Sequence, residues 1–98
     1  MKYFELLEEC KNIYTELSYN SRWVRIAAFH LIGKTILENK LNPEKIDNFA
    51  IALGVKPIDL LTAIVFAGRY PDLDDFPHDK TISLSQVRGI IDAQNKKD

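Results

Sequence analysis

Apolar residues in this sequence recur three and four positions apart and almost nowhere alternate, a period that builds helices and leaves little from which a sheet could form. Residues 2–18 place Tyr3, Phe4, Leu7, Cys10, Ile13, Tyr14 and Leu17 on one broad face, with Glu5, Glu8, Glu9 and Glu16 mostly away from it, the pattern of an outer helix. Residues 22–39, RWVRIAAFHLIGKTILEN, carry apolar side chains on nearly every side, so this helix is expected at the centre, touched from several directions. Asn20 or Ser21 can cap its start. The next boundaries are set by single residues. Asn42 is a good N-cap and Pro43 suits the first helical position, which predicts a third helix over 43–53. Gly54 stops it, Pro57 opens a fourth over 57–69, and Pro71 closes that one. Ser83 and Gln86 have capping-box spacing, so a fifth helix starts near Leu84 and turns Leu84, Val87, Ile90 and Ile91 inward. The expectation is an all-α fold, a compact bundle of about five helices in a single domain spanning residues 1–98. With 98 residues, 46% of them hydrophobic, there is enough apolar surface for one core without staples.

The third and fourth predicted helices carry a more specific pattern. In FAIALGVKPIDLLTAI, Ala50 is small where two helices would approach closely, and Gly54 permits the left-handed backbone that joins helices at a wide angle. Leu60, Ala63, Ile64 and Ala67 supply an inner face beyond the turn. This stretch resembles the turn regions of phage repressors and Cro-like helix-turn-helix DNA-binding proteins, over about twenty residues. A fainter resemblance runs from Trp23 to Asp74. There SRW, LIGKTI, ALGV and FAGRYPDLD look like small phage, plasmid and archaeal helix-turn-helix proteins, and like the helical N-terminal domain attached to some restriction-nuclease-like proteins. The resemblance implies a helix-turn-helix at 43–69 and a nucleic-acid-associated module without chemistry.

The surface that should read DNA departs from that pattern. With the inner face fixed, the outward side of the fourth helix is Ile58, Leu61, Thr62, Val65 and Arg69. Base edges are distinguished by hydrogen bonds, for which only Thr62 and Arg69 qualify. Ile58, Leu61 and Val65 suit a buried interface instead, covered by another helix or a second subunit. Charge is also modest: the formal net charge is -1, although residues 21–69 hold seven basic side chains against four acidic. Arg22, Arg25, Lys34, Lys40, Lys45 and Lys56 form the nearest approach to a phosphate-binding set, against the plainer reading of solvated lysines and snorkelling arginines. The expected function is therefore non-enzymatic binding of double-stranded DNA with weak sequence selectivity, as a small regulator or accessory factor. Lys45, Lys56, Thr62 and Arg69 would lie at the groove, with Arg22 and Arg25 at the backbone. The rival is a protein-interaction module, a homodimer or adaptor, built on Ile58, Leu61 and Val65.

Other reactive residues have simpler readings. His30 is expected to be a satisfied interior histidine and Cys10 a small buried hydrophobe. Trp23, Phe29, Phe49 and Phe66 are read as core. The acidic run Asp72, Asp74, Asp75, His78 and Asp79 lacks the glycine and final glutamate of a calcium loop, and is read as a solvated loop or helix-start cap. No catalytic residue, cofactor or metal is expected. One cysteine, an N-terminal segment broken up by glutamates, and no uncharged stretch longer than Leu60–Gly68 point to a cytoplasmic protein with no membrane association.

Overall fold

A computed structural model describes residues 2–17, 22–76 and 81–97. Five helices account for most of them: α1 (Tyr3–Leu17), α2 (Arg22–Glu38), α3 (Ile46–Leu53), α4 (Pro57–Arg69) and α5 (Leu84–Lys97). The described residues contain no strand. Two short 3₁₀ turns, Pro43–Lys45 and Leu73–Asp75, lead into α3 and follow α4. Residues 43–53 are thus a tight turn followed by an α-helix rather than one continuous helix. The proposed caps of α2, Asn20 and Ser21, lie outside the described residues.

Local chemistry sets the boundaries. The Asn42 side chain accepts the Glu44 N–H at 3.0 Å, and Pro43 takes the first helical position. At α5 the Ser83 N–H donates to Gln86 Oε1 at 2.8 Å while the Gln86 N–H donates to Ser83 Oγ at 3.3 Å, a reciprocal capping box. Gly54 ends α3 with φ of 90°. Its N–H and that of Val55 both reach the Ala50 carbonyl at 3.0 Å, so carbonyls that would otherwise lack partners are satisfied within the turn. The chain axis then bends by 117° between Pro43–Leu53 and Pro57–Arg69. At the end of α2 the same left-handed role falls to a non-glycine residue, Lys40, at φ 52°.

Packing is organised around α2, which lies against both α1 and α4. Gly33 makes the second contact possible: a Cβ there would stand 2.1 Å from the Ala63 carbonyl oxygen. The α2–α4 backbones touch at this point, and only a residue without a side chain fits. One core cluster joins Leu6, Leu7 and Cys10 of α1 to Ile32 and Ile36 of α2, Phe49, Ala50 and Leu53 of α3, and Leu60 of α4. A second joins Ile26 of α2 and Phe66 of α4 to Val87 and Ile91 of α5, with Phe76 and Ile82 from the connection. Each fully buried Leu, Ile or Phe contributes roughly 1.5–3 kcal/mol of apolar transfer, so the two clusters supply the main favourable term.

One expectation about the core needs correction. Leu6, not Phe4, faces inward from α1; Phe4 is 76% exposed and its ring meets only the edge of Tyr3. The buried stripe of α1 is Leu6, Leu7 and Cys10 flanked by Tyr3, Ile13 and Tyr14, the face inferred from spacing with Leu6 in place of Phe4. In the acidic connection after α4, Asp72, Asp74 and Asp75 are exposed as read, and the segment also carries a core residue. Phe76 is buried between Phe66 and Tyr70, with ring centroids 4.9 and 5.0 Å away, and pins that segment to the core.

Candidate functional site

The first turns of α2, α4 and α5 open onto one cleft of about 470 Å³. α2 contributes Arg22 and Arg25, α4 brings Lys56, Ile58 and Asp59, and α5 brings Ser83, Ser85 and Arg88. Three residues inferred from the sequence as phosphate contacts, Arg22, Arg25 and Lys56, therefore stand together, although 34 positions separate Lys56 from Arg22 along the chain. Helix starts carry partial positive charge, so the backbone dipoles add to the side chains here.

The arginines are held in place by protein partners. Arg22 Nη1 donates to the Thr81 carbonyl at 2.9 Å, tying the start of α2 to the segment before α5. The Arg25 guanidinium stands 5.9 Å from the centroid of the buried Phe29 ring. Arg88 is fixed twice, Nη2 to Asp59 Oδ1 at 2.5 Å and Nε to Thr62 Oγ1 at 3.1 Å. Asp59 and Arg88 are both about three-quarters covered, so their ion pair is screened less than a surface pair. With that pair internally neutral, Arg22, Arg25 and Lys56 leave the cleft with a formal excess of positive charge.

The remaining inferred site residues are scattered. Lys45 sits at the tight turn before α3 with its ammonium 5.6 Å from the Tyr3 ring centroid, packed toward α1 and not among the residues of the cleft. Arg69 is exposed at the far end of α4. At 1.5 Å per residue it lies about 20 Å from Lys56. Thr62 was expected to face outward, and the structure corrects this. It is 6% exposed, donates its hydroxyl to the Ile58 carbonyl at 2.8 Å and accepts from Arg88. α5 lies across that flank of α4, so Thr62 cannot touch a base edge. Ile58, Leu61 and Val65 remain 51%, 44% and 38% exposed and border a shallower groove of about 170 Å³ with Ile91 and Asp92 of α5. α5 flanks this strip without covering it.

Arg88 was missed in the sequence. Its signal was present: it follows Leu84 by four positions, at the edge of the apolar face of α5, where a cation must find a partner. The other titratable candidates behave as read. His30 is buried and its Nε2–H donates to the Tyr70 carbonyl at 2.5 Å, which fixes the tautomer and closes the end of α4. Cys10 is fully buried, and desolvation with the nearby Glu9 charge pushes its thiol up to about 12. Asp72 caps the 3₁₀ turn by accepting the Asp74 N–H at 3.0 Å, while His78 and Asp79 lie outside the described residues. Among the described residues no three His, Cys, Asp or Glu side chains converge as a metal-binding group. No single helix among them is long and apolar enough to cross a membrane. No family model, curated protein or solved structure matches this chain.

Proposed function

We propose that the protein binds nucleic acid, double-stranded DNA in the first instance, as a small cytoplasmic regulator or accessory factor without catalysis, cofactor, metal or membrane association. The observation that carries this reading is the convergence of Arg22, Arg25 and Lys56 with Arg88 in one cleft at three helix starts. Phosphate oxygens are the ligands such a set favours, because guanidinium and ammonium groups donate to them and helix starts favour negative charge. The bend at Gly54 and its satisfied turn support a helix-turn-helix reading of residues 43–69. With Thr62 turned inward, phosphate-capable residues far outnumber base-capable ones, so selectivity is weak. The test is a salt titration with random duplex. Replacing Arg22, Arg25 and Lys56 together by alanine should weaken binding to all sequences alike and reduce the log–log salt slope by about 2.7, at roughly 0.9 per lost phosphate contact. Unchanged affinity at low salt would remove these residues from the interface.

A second reading rests on a different observation, the half-exposed strip Ile58, Leu61 and Val65 on a face bordered by α5. Such a strip suits a homodimer or adaptor contact. Val65→Asp should then split a dimer, seen as a halved mass by light scattering. A wild-type protein that is monomeric at high concentration refutes the homodimer.

A further inference from the structure

We propose that the cleft between α2, α4 and α5 is a pocket for a phosphomonoester group, the doubly charged phosphate at the end of a strand rather than the singly charged phosphodiesters along a duplex. Its attribution to a strand end rests on the nucleic-acid reading above. The first reason is shape. The cationic groups line a concavity of about 470 Å³, a volume typical of small-molecule sites. A duplex approached from the side offers a convex ridge of phosphates, whereas one terminal phosphate with its sugar can enter such a space.

The second reason is charge. Asp59 neutralises Arg88, which leaves Arg22, Arg25 and Lys56 facing the ligand. A phosphodiester carries a single negative charge, but a phosphomonoester brings about −1.5 to −2 and three acceptor oxygens, the better match for three cations. The third reason is preorganisation. Thr81 holds Arg22, Phe29 lies beneath Arg25, and Asp59 with Thr62 holds Arg88, so three of the four cationic side chains are already anchored. Each such contact narrows the rotamers open to its side chain before a ligand arrives, so less entropy remains to be lost on binding.

Fluorescence anisotropy on the full chain separates the possibilities. The probes are labelled single-stranded oligonucleotides of one sequence, 5′-phosphorylated, 3′-phosphorylated or hydroxyl at both ends, the corresponding duplex, and a labelled deoxynucleoside monophosphate, with inorganic phosphate as competitor. The expected result is that at least one phosphorylated end binds tighter than the hydroxyl form by about tenfold, the equivalent of one added charge-assisted hydrogen bond. Arg25→Gln and Lys56→Gln, each at an exposed position, should separately shrink that ratio toward one while the melting temperature holds. Equal affinity for phosphorylated and hydroxyl ends overturns the terminal-phosphate pocket and leaves backbone binding intact. Binding of the mononucleotide with no binding of any oligonucleotide or duplex keeps the phosphomonoester pocket, assigns it to a free nucleotide and overturns the nucleic-acid reading. No binding of any probe overturns both.

Discussion

Gly33→Ala should destabilise the protein although alanine is the better helix former. At this position the added Cβ would lie 2.1 Å from the Ala63 carbonyl oxygen, 2.5 Å from its carbon and 3.0 Å from the Ile64 nitrogen, all of them backbone atoms. Reaching the 3.4 Å of ordinary contact requires α2 and α4 to separate by about 1.3 Å, and none of the three obstructing atoms can swing aside as a side-chain tip would. Overpacking of this kind costs about 1–3 kcal/mol, and a rigid obstruction belongs at the upper end. Alanine returns about 1 kcal/mol of helix propensity. The net loss is about 2 kcal/mol, equivalent to a fall in melting temperature of roughly 8–16 °C for a domain of this size. Gly89→Ala is the control: its Cβ would meet nothing within 4 Å inside α5, so the same substitution should stabilise by about 0.5–1 kcal/mol. Gly54→Ala also finds open space, yet its φ of 90° alone should cost about 1–2 kcal/mol. Thermal and urea melts followed by far-ultraviolet circular dichroism give all three values. A Gly33→Ala protein as stable as the wild type would mean that α2 and α4 do not meet at Gly33, and the position of α4 behind the cleft would then be wrong.

Two further outcomes follow from the buried polar groups. Cys10 keeps its proton in the folded state up to about pH 12, whereas the unfolded thiol loses it near 9.0, so its contribution is complete below pH 9 and is lost as pH rises from 9 to 12. The stability difference between the wild type and Cys10→Ala should therefore shrink across that window, by up to about 1.4 kcal/mol per pH unit, and thiol reagents at pH 8 should label Cys10 only at the rate of unfolding. Thr62→Val leaves Arg88 Nε without its acceptor and should cost about 1–2 kcal/mol in urea melts, yet DNA affinity should stay within about twofold. A large loss of binding at unchanged stability would return Thr62 to the DNA surface.

Helix ends were the most legible part of the sequence because they are decided within a few residues. Asn42 with Pro43, Ser83 with Gln86, and Gly54 each act through contacts no more than five positions away. Period also placed the inner face of α4, with Leu60, Ala63 and Ala67 buried and Ile64 partly buried. What escaped depends on how elements dock. Gly33 has no local signal for its role, because its reason is the backbone of α4, 30 positions later. Phe76 stands between prolines with no period to mark it as core. Thr62 points outward by helical arithmetic alone, and only the placement of α5 covers it. The cleft shows the same division. The cations were recognisable by type, but their convergence came from the α2–α4 contact and from the capped start of α5.

That convergence also bears on why α4 can look like a recognition helix and yet carry an apolar outer face. A helix that reads bases along its length needs hydrogen-bonding groups spaced over its first turns. Here the first turn of α4 is committed elsewhere: Asp59 holds Arg88, and Thr62, three residues on, accepts from the same guanidinium. Those are the polar side chains that α4 offers between Lys56 and Arg69, and both face α5 rather than solvent. Ile58, Leu61 and Val65 are what remains outside, able to make apolar contacts but unable to discriminate base pairs by hydrogen bonds. The positive charge has moved with the polar groups, to the end of α4 where α2 and α5 also begin. On the proposed reading, an end-on site of this kind would grip phosphate at one point and would leave the flank of the helix to a protein surface. The two proposed readings therefore occupy different faces of α4, and nothing in the geometry makes them exclusive.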